Sequence, residues 1–504
     1  MSTEMTTDMS TTTDSTFDVV VIGAGPVGEN VADRIVGNGL TAAVVERELV
    51  GGECSYWACM PTKALLRSTS ALRAANRLPG AREAITGEVG VAAVLGRRDG
   101  FASNWKDDGQ VAWLDSAGIP LFRGHGRLAG PRVVEVTDSD GAVVTLTARH
   151  AVVVATGSSA LLPDLPGLRE AGVWPSREAV SARSVPRRFG IVGGGVVAAE
   201  TATAFAALGS TVTVLARDGV LPTSEPFAGE EVVAALREAG VAVHEGAEVT
   251  EVRRTATGEV HLTVADGGEF VVDEVLVAIG RVPNTRDIGL ETIGLTPGRW
   301  LTVDGSLRVL DESGDPIGDG RLYAAGDANR RALVTHQGKY QARIVGDIIA
   351  ARARGLGIDD APWGAQAATA DERAVPQVVF TEPEVASVGL TAAAAEAAGL
   401  HTRVVDYDLG AVAGAVLHAE GYRGRARMVV DSDRGVLVGV TFVGPDVAEL
   451  VHAATIAVAA EVPIDRLWHA VPAYPTISEI WLRLLQTYET QVRAEKQAAQ
   501  AAAA

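Results

Sequence analysis

Short runs of branched apolar residues alternate along the chain with stretches of helical periodicity. Residues 19–22 are a continuous β-branched run, which is typical of a strand buried in a parallel sheet. A helical stretch follows to about residue 38, and residues 41–45 predict a second strand. The same succession returns at residues 189–192 and 211–215. This order of elements predicts an α/β fold that contains two strand–helix–strand units.

A short turn of small residues joins strand and helix in both units. The turns contain Gly23, Gly25 and Gly28 in the first unit, and Gly193, Gly195 and Ala198 in the second. Such residues let the backbone turn sharply and approach a pyrophosphate group at the N-terminus of the helix. Glu46 ends the second strand of the first unit, where a carboxylate suits a ribose hydroxyl. One such turn is a weak signal, but two complete units predict two bound dinucleotides.

The end of the second strand in the second unit indicates which nicotinamide dinucleotide binds there. A carboxylate at this position is typical of NADH enzymes, whereas this chain has Ala216 followed by Arg217. A guanidinium pairs bidentately with the 2′-phosphate of NADPH, so the sequence favours NADPH, with NADH as the alternative cofactor. The structural alternative is that Arg217 is a solvated surface residue beside Asp218.

The composition disfavours several classes of protein. The chain has 504 residues, enough for about two to four domains. Its formal net charge of −19 disfavours a nucleic acid partner. No apolar run reaches the ~18 residues of a membrane span, and the N-terminus has no secretory pattern. A cytoplasmic location without a membrane partner is therefore expected.

The only two cysteines, Cys54 and Cys59, stand within residues 51–63, just after the first unit. Two cysteines are too few for a disulfide scaffold, so a closely spaced pair indicates metal or redox chemistry. No histidine or further cysteine lies near them in the sequence to complete a zinc site, which favours redox chemistry. Residues 62–73 predict a helix, and a cysteine near a helix N-terminus is stabilised as thiolate. The alternative is a pair of buried, inert thiols.

These features together resemble the flavin-dependent pyridine nucleotide–disulfide oxidoreductases, which include the glutathione, lipoamide and mercuric ion reductases. The resemblance covers about residues 16–488. It implies that FAD binds the first unit and NAD(P)H the second. It also implies a redox-active disulfide, in which Cys59 contacts the flavin as a charge-transfer thiolate and Cys54 exchanges with substrate.

The resemblance also assigns roles outside the cysteine stretch. Lys63 and Glu200 are expected to form an ion pair near flavin N5, the alternative being two ordinary helix residues. Further FAD contacts are expected at Gly126, Thr156, Gly157, Asp327, Thr335 and His336. Gly280 is expected where the chain returns from the nicotinamide-binding domain. We expect His336 to be a helix-start residue in preference to a proton-transfer group.

The implied architecture is two Rossmann-like dinucleotide-binding domains, for FAD and NAD(P), followed by a C-terminal α+β dimerisation domain. The FAD-binding domain is predicted at residues 16–159 and 283–370, and the NAD(P)-binding domain at 160–282. The dimerisation domain is predicted at 371–489, which implies a homodimer. Residues 1–15 are predicted to be a disordered tail, and residues 490–504 a frayed or disordered helical tail.

The C-terminal region departs from the family pattern. Relatives end in His-Pro-Thr followed by a glutamate, and this His–Glu pair reaches the partner's cysteines across the dimer. Here Tyr474 replaces the histidine, while Glu479 is retained. A phenol keeps its proton at neutral pH, so Tyr474 is a usable proton donor but a poor base. The alternatives are that His469 takes over in space, or that Tyr474 is a packed interface aromatic.

The sequence therefore predicts a homodimeric FAD enzyme in which NAD(P)H reduces the Cys54–Cys59 disulfide through the flavin. A small disulfide or similar compound is the expected acceptor. The tyrosine weakens a lipoamide dehydrogenase or glutathione-type assignment. Mercuric reductases carry a tyrosine there, but this chain lacks their extra C-terminal cysteines. Two other classes stay open: a quinone reductase, diaphorase or transhydrogenase that does not use the disulfide, and a non-catalytic nucleotide-binding scaffold.

Overall fold

The computed structural model describes residues 15–503. Its contacts divide the chain into two compact units. Of the described residues, the first unit contains 15–56, 105–159 and 281–369, and the second contains 57–104, 160–280 and 370–503. Most of the predicted tail at 1–15 lies outside the described residues, and Ser15 is the first residue of a strand.

The strands of the first half of the chain are β1 (Ser15–Ile22), β2 (Ala42–Glu46), β3 (Leu121–Arg123), β4 (His125–Gly130), β5 (Val133–Thr137), β6 (Val143–Val154), β7 (Ser158–Ala160), β8 (Arg188–Val192), β9 (Thr211–Ala216) and β10 (Ala242–Glu245). They continue as β11 (Val249–Arg254), β12 (Val260–Val264), β13 (Glu269–Val272), β14 (Glu274–Val277), β15 (Arg281–Pro283) and β16 (Leu322–Ala324). The C-terminal strands are β17 (Pro376–Val379), β18 (Glu384–Gly389), β19 (Thr402–Asp408), β20 (Arg425–Asp431) and β21 (Val436–Gly444).

The helices begin with α1 (Pro26–Gly37), α2 (Gly52–Tyr56), α3 (Cys59–Asn76), α4 (Val91–Phe101), α5 (Asp108–Ser116), α6 (Ser176–Ser181), α7 (Val196–Ala207) and α8 (Pro226–Glu238). They continue as α9 (Thr335–Ala353), α10 (Ala370–Arg373), α11 (Ala392–Ala397), α12 (Ala413–His418), α13 (Val451–Ala459), α14 (Ile464–Leu467) and α15 (Ile480–Ala503).

The first unit is built on a sheet with strand order β3-β2-β1-β6-β5-β4, and β16 also pairs with β6. β1 is parallel to both β2 and β6, so that Ile22 lies opposite Val45 and Val154. Val19 and Val21 belong to one apolar core, whereas Val20 and Ile22 belong to another. The branched run is therefore buried on both faces of the sheet, as its sequence predicted.

The second unit contains a parallel sheet with strand order β10-β9-β8-β14 and an antiparallel sheet with order β11-β12-β13. β13 and β14 are separated by one residue and belong to these different sheets. Asp273 lies between them. Its carboxylate accepts hydrogen bonds from the backbone N–H of Arg188 at 2.8 Å and from the guanidinium of Arg188 at 2.9 Å. This pairing fixes the break between the two strands.

The C-terminal part of the second unit is an antiparallel sheet with strand order β17-β18-β21-β20-β19. Its apolar core includes Met428, Phe442 and Leu484. Residues 490–503, predicted as a tail, continue α15, and Glu495 on that helix forms an ion pair with Arg403 at 2.5 Å. The α/β class with a C-terminal α+β region is therefore confirmed. Within residues 15–503, every helix is too short or too polar to cross a membrane.

Candidate active site

The first glycine turn connects the C-terminal end of β1 to α1 in the first unit. Gly23 has a φ of +99°, and a Cβ atom there would lie 2.5 Å from the carbonyl oxygen of Ala155. A Cβ atom at Gly28 would lie 1.8 Å from the carbonyl oxygen of Gly23. The turn itself therefore requires both glycines. At Gly25 the nearest described atom to a Cβ is the Cα of Gly52 at 3.9 Å, which leaves this backbone open to a pyrophosphate group.

The glycine turn also contacts the stretch that carries Cys54. Gly52 opens α2 with a φ of +55°, and a Cβ atom there would lie 2.8 Å from the Cα of Gly25. The two backbones approach this closely because neither residue has a side chain. Helix α2, which contains Cys54, therefore begins directly against the nucleotide-binding turn.

Glu46, the last residue of β2, stabilises the same turn through hydrogen bonds. Its Oε2 accepts a hydrogen bond from the backbone N–H of Ala24 at 2.7 Å, and its Oε1 accepts one from the N–H of Glu48 at 2.8 Å. Each carboxylate oxygen keeps a further lone pair for a ribose hydroxyl. The residue expected to bind ribose therefore also fixes the backbone of the turn.

Two polar atoms in this unit are buried without a hydrogen-bond partner among residues 15–503. They are Oγ1 of Thr156 and Oε1 of Glu29. A buried unsatisfied polar group costs about 1–3 kcal/mol, so such atoms mark places where a ligand supplies a missing contact. The hydroxyl of Thr156, the open backbone at Gly25 and the carboxylate of Glu46 together fit the polar groups of a dinucleotide such as FAD.

Asp327 follows β16 and belongs to a small polar network. Its Oδ2 accepts a hydrogen bond from Oγ of Ser158 at 2.5 Å, and Nε of Arg281 donates to the same hydroxyl at 2.6 Å. The Arg281 guanidinium also lies 3.8 Å from Asp327 and 3.9 Å from Glu53. The sequence assigned no role to Arg281. The sequence feature that could have indicated a role is its position: Arg281 is a cationic residue directly after Gly280, where the chain returns to the first unit.

The other residues expected to contact FAD in this unit occupy separate positions around the sheet. A Cβ atom at Gly126 would lie 2.9 Å from Cγ1 of Val45, so packing already requires glycine there. Gly157 has a φ of +71°, and a Cβ atom there would meet open space among the described residues. Thr335 and His336 form the first turn of α9, and His336 is exposed.

The two cysteines lie on successive helices. Cys54 is in the middle of α2, and Cys59 is the first residue of α3. The sequence predicted α3 only from residue 62, so Cys59 lies within the first turn and not before it. The positive end of the helix dipole favours a thiolate at such a position. Both cysteines are half-buried.

The two aromatic residues between the cysteines have different surroundings. Tyr56 is buried, its hydroxyl donates a hydrogen bond to the carbonyl of Val50 at 2.9 Å, and burial raises the pKa of its phenol to about 12. Nε1 of Trp105 donates to the carbonyl of Tyr56 at 3.2 Å. Trp57 is half-buried, and the guanidinium of Arg177 lies 4.2 Å from its ring centroid. Of the two rings, Trp57 is therefore the more exposed.

Lys63 and Glu200 come together within the second unit. Nζ of Lys63 lies 2.7 Å from Oε2 of Glu200, which is only 2% exposed. Oε1 of Glu200 accepts a hydrogen bond from the backbone N–H of Phe380 at 2.9 Å, and the Lys63 ammonium lies 5.0 Å from the Phe380 ring centroid. Both oxygens of the buried carboxylate therefore have partners.

The second small-residue turn connects β8 to α7. Gly193 has a φ of +123°, and a Cβ atom there would lie 2.3 Å from the carbonyl oxygen of Ala278. A Cβ atom at Gly195 would meet no described atom within 4 Å, which leaves room for a pyrophosphate group. Ala198 is fully buried in the first turn of α7, and Gly280 has a φ of +149°.

Arg217 directly follows β9 and remains accessible. Its guanidinium donates a hydrogen bond to the carboxylate of Asp218 at 2.8 Å and lies 4.0 Å from Glu248. The side chain is 64% exposed. The surface ion pair foreseen as an alternative is therefore present, and the guanidinium is still open to a further anionic group.

Tyr474 and Glu479 line one cleft in the C-terminal part of the second unit. The other residues of this cleft are mostly apolar: Leu467, Trp468, Ala470, Val471, Pro472, Leu482 and Leu485. Tyr474 is 76% exposed, whereas Glu479 is buried. Oε1 of Glu479 accepts a hydrogen bond from Arg483 at 2.6 Å, and its Oε2 has no partner among the described residues. His469 is exposed and is not among the residues lining the cleft.

Comparison with known families identifies both parts of the chain. Residues 17–345 match the family described as pyridine nucleotide-disulphide oxidoreductase. Residues 375–484 match the dimerisation domain of the same family. The resemblance drawn from the two turns and the cysteine spacing is therefore confirmed.

Individual proteins are similar over nearly the whole chain. Mercuric reductase from Shigella flexneri is 31% identical over 94% of this chain and 81% of its own length. Dihydrolipoyl dehydrogenase from Halobacterium salinarum is 31% identical over 94% of this chain and 95% of its own length.

Solved structures show the same fold. LpdA from Mycobacterium tuberculosis has a TM-score of 0.77 at 26% identity, over 94% of this chain and 99% of that one. The HOCl-induced flavoprotein disulfide reductase RclA from Escherichia coli has a TM-score of 0.76 at 22% identity, over 93% of this chain and 99% of that one. By its family matches, the chain belongs to the pyridine nucleotide-disulphide oxidoreductases and is an FAD-dependent enzyme that uses a nicotinamide dinucleotide.

Proposed function

We propose that this enzyme uses NADPH to reduce a Cys54–Cys59 disulfide by way of FAD, and that the reduced pair then reduces a small-molecule disulfide. The position of Cys59 as the first residue of α3 carries this proposal. A helix N-terminus stabilises the thiolate that thiol–disulfide exchange requires. The similarity to a dihydrolipoyl dehydrogenase and to a flavoprotein disulfide reductase supports the same class of reaction.

The residues of the first unit would hold the flavin cofactor. The open backbone at Gly25 would accept the pyrophosphate, while Glu46, Thr156 and Asp327 would bind hydroxyl and ring groups. The chemistry that FAD supplies when bound is the transfer of two electrons from the nicotinamide to the disulfide. In the second unit, the backbone at Gly195 would approach the pyrophosphate of NADPH.

The reduced cysteine pair acts by thiol–disulfide exchange. The Cys54 thiolate attacks one sulfur of the acceptor, whose S–S bond breaks as a mixed disulfide forms. The first acceptor thiolate leaves and takes up a proton. The Cys59 thiolate then attacks Sγ of Cys54, re-forms the Cys54–Cys59 disulfide and releases the second acceptor thiolate, which is also protonated. Two electrons and two protons have then passed to the acceptor.

Lys63 supports the entry of electrons. It lies four residues after Cys59 on α3, so the two side chains project from the same face of the helix. A positive charge there favours a thiolate at Cys59 and negative charge on a neighbouring flavin. Glu200 fixes the ammonium, and the backbone N–H of Phe380 in turn holds Glu200.

Tyr474 is the proposed proton donor to the leaving thiolate. Its 76% exposure leaves the hydroxyl accessible to a second subunit. Glu479 is the corresponding carboxylate: its Oε1 accepts a hydrogen bond from Arg483, and its Oε2 has no partner among the described residues. This arrangement needs a protonated phenol, which is the ordinary state of tyrosine at neutral pH.

The dimerisation-domain match indicates a homodimer. Apolar side chains that are more than half exposed in this domain support such an assembly: Val416, Leu417, Ile456 and Val471. NADPH is favoured over NADH because the exposed guanidinium of Arg217 lies directly after β9, where the 2′-phosphate of NADPH would bind.

A Cys54→Ser variant tests the disulfide mechanism. Wild type and variant are assayed with NADPH and NADH against lipoamide, glutathione- and mycothiol-type disulfides, mercuric ion and quinones. We expect the variant to lose acceptor reduction by roughly 1,000-fold or more, because no mixed disulfide can form, while NADPH still bleaches the flavin. Ser55→Ala, on the same short helix, is the matched control and should keep wild-type turnover.

Two outcomes would overturn the proposal. Unchanged turnover of the best acceptor in Cys54→Ser would favour an enzyme that reduces quinones or dyes directly from the flavin. A wild-type flavin that neither nicotinamide reduces would favour a non-catalytic scaffold.

A further inference from the structure

Glu29 stands in the first turn of α1 and has no task in the proposed reaction. Its backbone N–H donates a hydrogen bond to the carbonyl of Gly25 at 3.0 Å. Gly25 is the residue whose backbone is open to a pyrophosphate group. Oε1 of Glu29 is buried without a hydrogen-bond partner among residues 15–503. Glu29 therefore has a buried carboxyl oxygen without a partner among the described residues, and it follows by one helical turn the residue where FAD would bring its phosphates.

Three titratable groups on neighbouring elements interact electrostatically with this carboxyl: Glu46 at the end of β2, Lys339 on α9 and Tyr56 on α2. Burial raises the pKa of the Glu29 carboxyl to about 7, Lys339 acts in the opposite direction, and Glu46 adds to the rise. Near neutral pH the group is thus divided between its ionised and neutral forms.

A bound dinucleotide would change this balance in one direction. Its pyrophosphate is a dianion, and the ligand would exclude water from the first turn of α1. Negative charge and desolvation both oppose ionisation of a carboxyl group. The neutral acid also has an O–H group that can donate a hydrogen bond, whereas the carboxylate can only accept one.

We propose that Glu29 takes up a proton when FAD binds, so that the affinity for the cofactor is linked to pH. The inference depends on FAD binding in the first unit, and not on the acceptor or on the cysteines. The sign follows from linkage: protons that bind more tightly to the complex than to the free protein favour the complex. The Kd for FAD is therefore constant at low pH and rises with pH above about 7, by up to ~10-fold per pH unit.

The test uses full-length holoenzyme purified with its flavin. The protein is diluted at a series of pH values from about 6 to 9, and released FAD is measured by fluorescence to give a Kd at each pH. We expect the wild-type Kd to rise roughly 10- to 100-fold between pH 7 and pH 9. Glu29→Gln has a neutral side chain of nearly the same shape, so its Kd should stay at the wild-type low-pH value throughout. Glu29→Met gives the same test if the amide variant does not fold.

Asp33→Asn is the matched control, because it removes one charge from an exposed position one turn further along α1. It should keep the wild-type pH dependence. A wild-type Kd that is the same across the series, or an equal rise in Glu29→Gln and Glu29→Met, would overturn the proposal. If the protein purifies without flavin, that result would count against FAD binding in the first unit. It would therefore also overturn the proposed role of Glu29.

Discussion

Nζ of Lys63 and Oε2 of Glu200 lie 2.7 Å apart and join the helix that begins with Cys59 to the helix that follows the nicotinamide turn. The second oxygen of Glu200 extends the connection to Phe380, directly after β17. One buried carboxylate thus holds three segments of the second unit that are distant in sequence. The position of the Lys63 ammonium depends on all three.

Lys63→Met is expected to lower the free energy of unfolding by about 1–3 kcal/mol. The substitution leaves a carboxylate that is 2% exposed without its counter-charge, and the 34% exposure of Lys63 keeps the loss below that of a fully buried pair. Glu200→Gln should cost less, because its amide oxygen still accepts from Phe380. Chemical denaturation of both single variants and the double variant measures the coupling. Strictly additive losses would contradict a direct ion pair.

Tyr474→Phe is expected to slow reoxidation of the reduced enzyme by a disulfide acceptor about 10- to 100-fold. Reduction of the flavin by NADPH should keep its rate, because a general acid acts only when the acceptor thiolate leaves. Stopped-flow measurement of the two half-reactions separates these steps. The exposed position of Tyr474 predicts little change in stability. If His469→Gln slows reoxidation and Tyr474→Phe does not, the proton donor is His469.

Arg217→Ala is expected to lower kcat/KM for NADPH about tenfold and to leave kcat/KM for NADH within about twofold. The variant loses a charge-assisted hydrogen bond to the 2′-phosphate, and it also loses the pairing with Asp218 that competes with this bond. Asp218→Asn should have the opposite effect, since it removes the carboxylate that competes for the guanidinium. Equal losses with both nicotinamides would rule out a role in choosing the cofactor.

Thr156→Val is expected to weaken FAD binding about 5- to 10-fold without destabilising the flavin-free protein. Its hydroxyl is buried without a partner among the described residues, so a methyl group in its place removes an unsatisfied atom. Thermal unfolding with and without added FAD reports both effects. Thr203→Val is a useful comparison, because that hydroxyl donates to the carbonyl of Ala199 at 2.9 Å. An unchanged FAD affinity in Thr156→Val would show that its hydroxyl does not contact the cofactor.

Much of the fold could be predicted because its strands are buried on both faces and its turns need glycine. The run at 19–22 and the turn that follows it show this directly. The start of α3 was predicted three residues too late, at residue 62, and Pro61 lies within its first turn. Proline is tolerated in the first helical turn, where no N–H is needed, and the helix begins two residues before this proline, at Cys59.

The polar contacts of the site were harder to predict from the sequence than the strands and turns. Arg281 donates to Ser158, which lies 123 residues away, and no local pattern indicates that pairing. Phe380 holds Glu200 through its backbone N–H, a contact that carries no residue-specific signal. Arg483 is different, because it stands four residues after Glu479, a spacing that brings side chains together on a helix. That pair could have been predicted.

The close approach of Gly25 and Gly52 limits how acceptor preference can be altered, by evolution or by design. A side chain at position 52 would push the cysteine-bearing helix α2 away from the cofactor turn, so this position cannot be used to tune specificity. Trp57, between the two cysteines, does not carry that restriction, because it is only half-buried. Acceptor preference can therefore be altered at position 57 while both glycines and the buried Tyr56 stay.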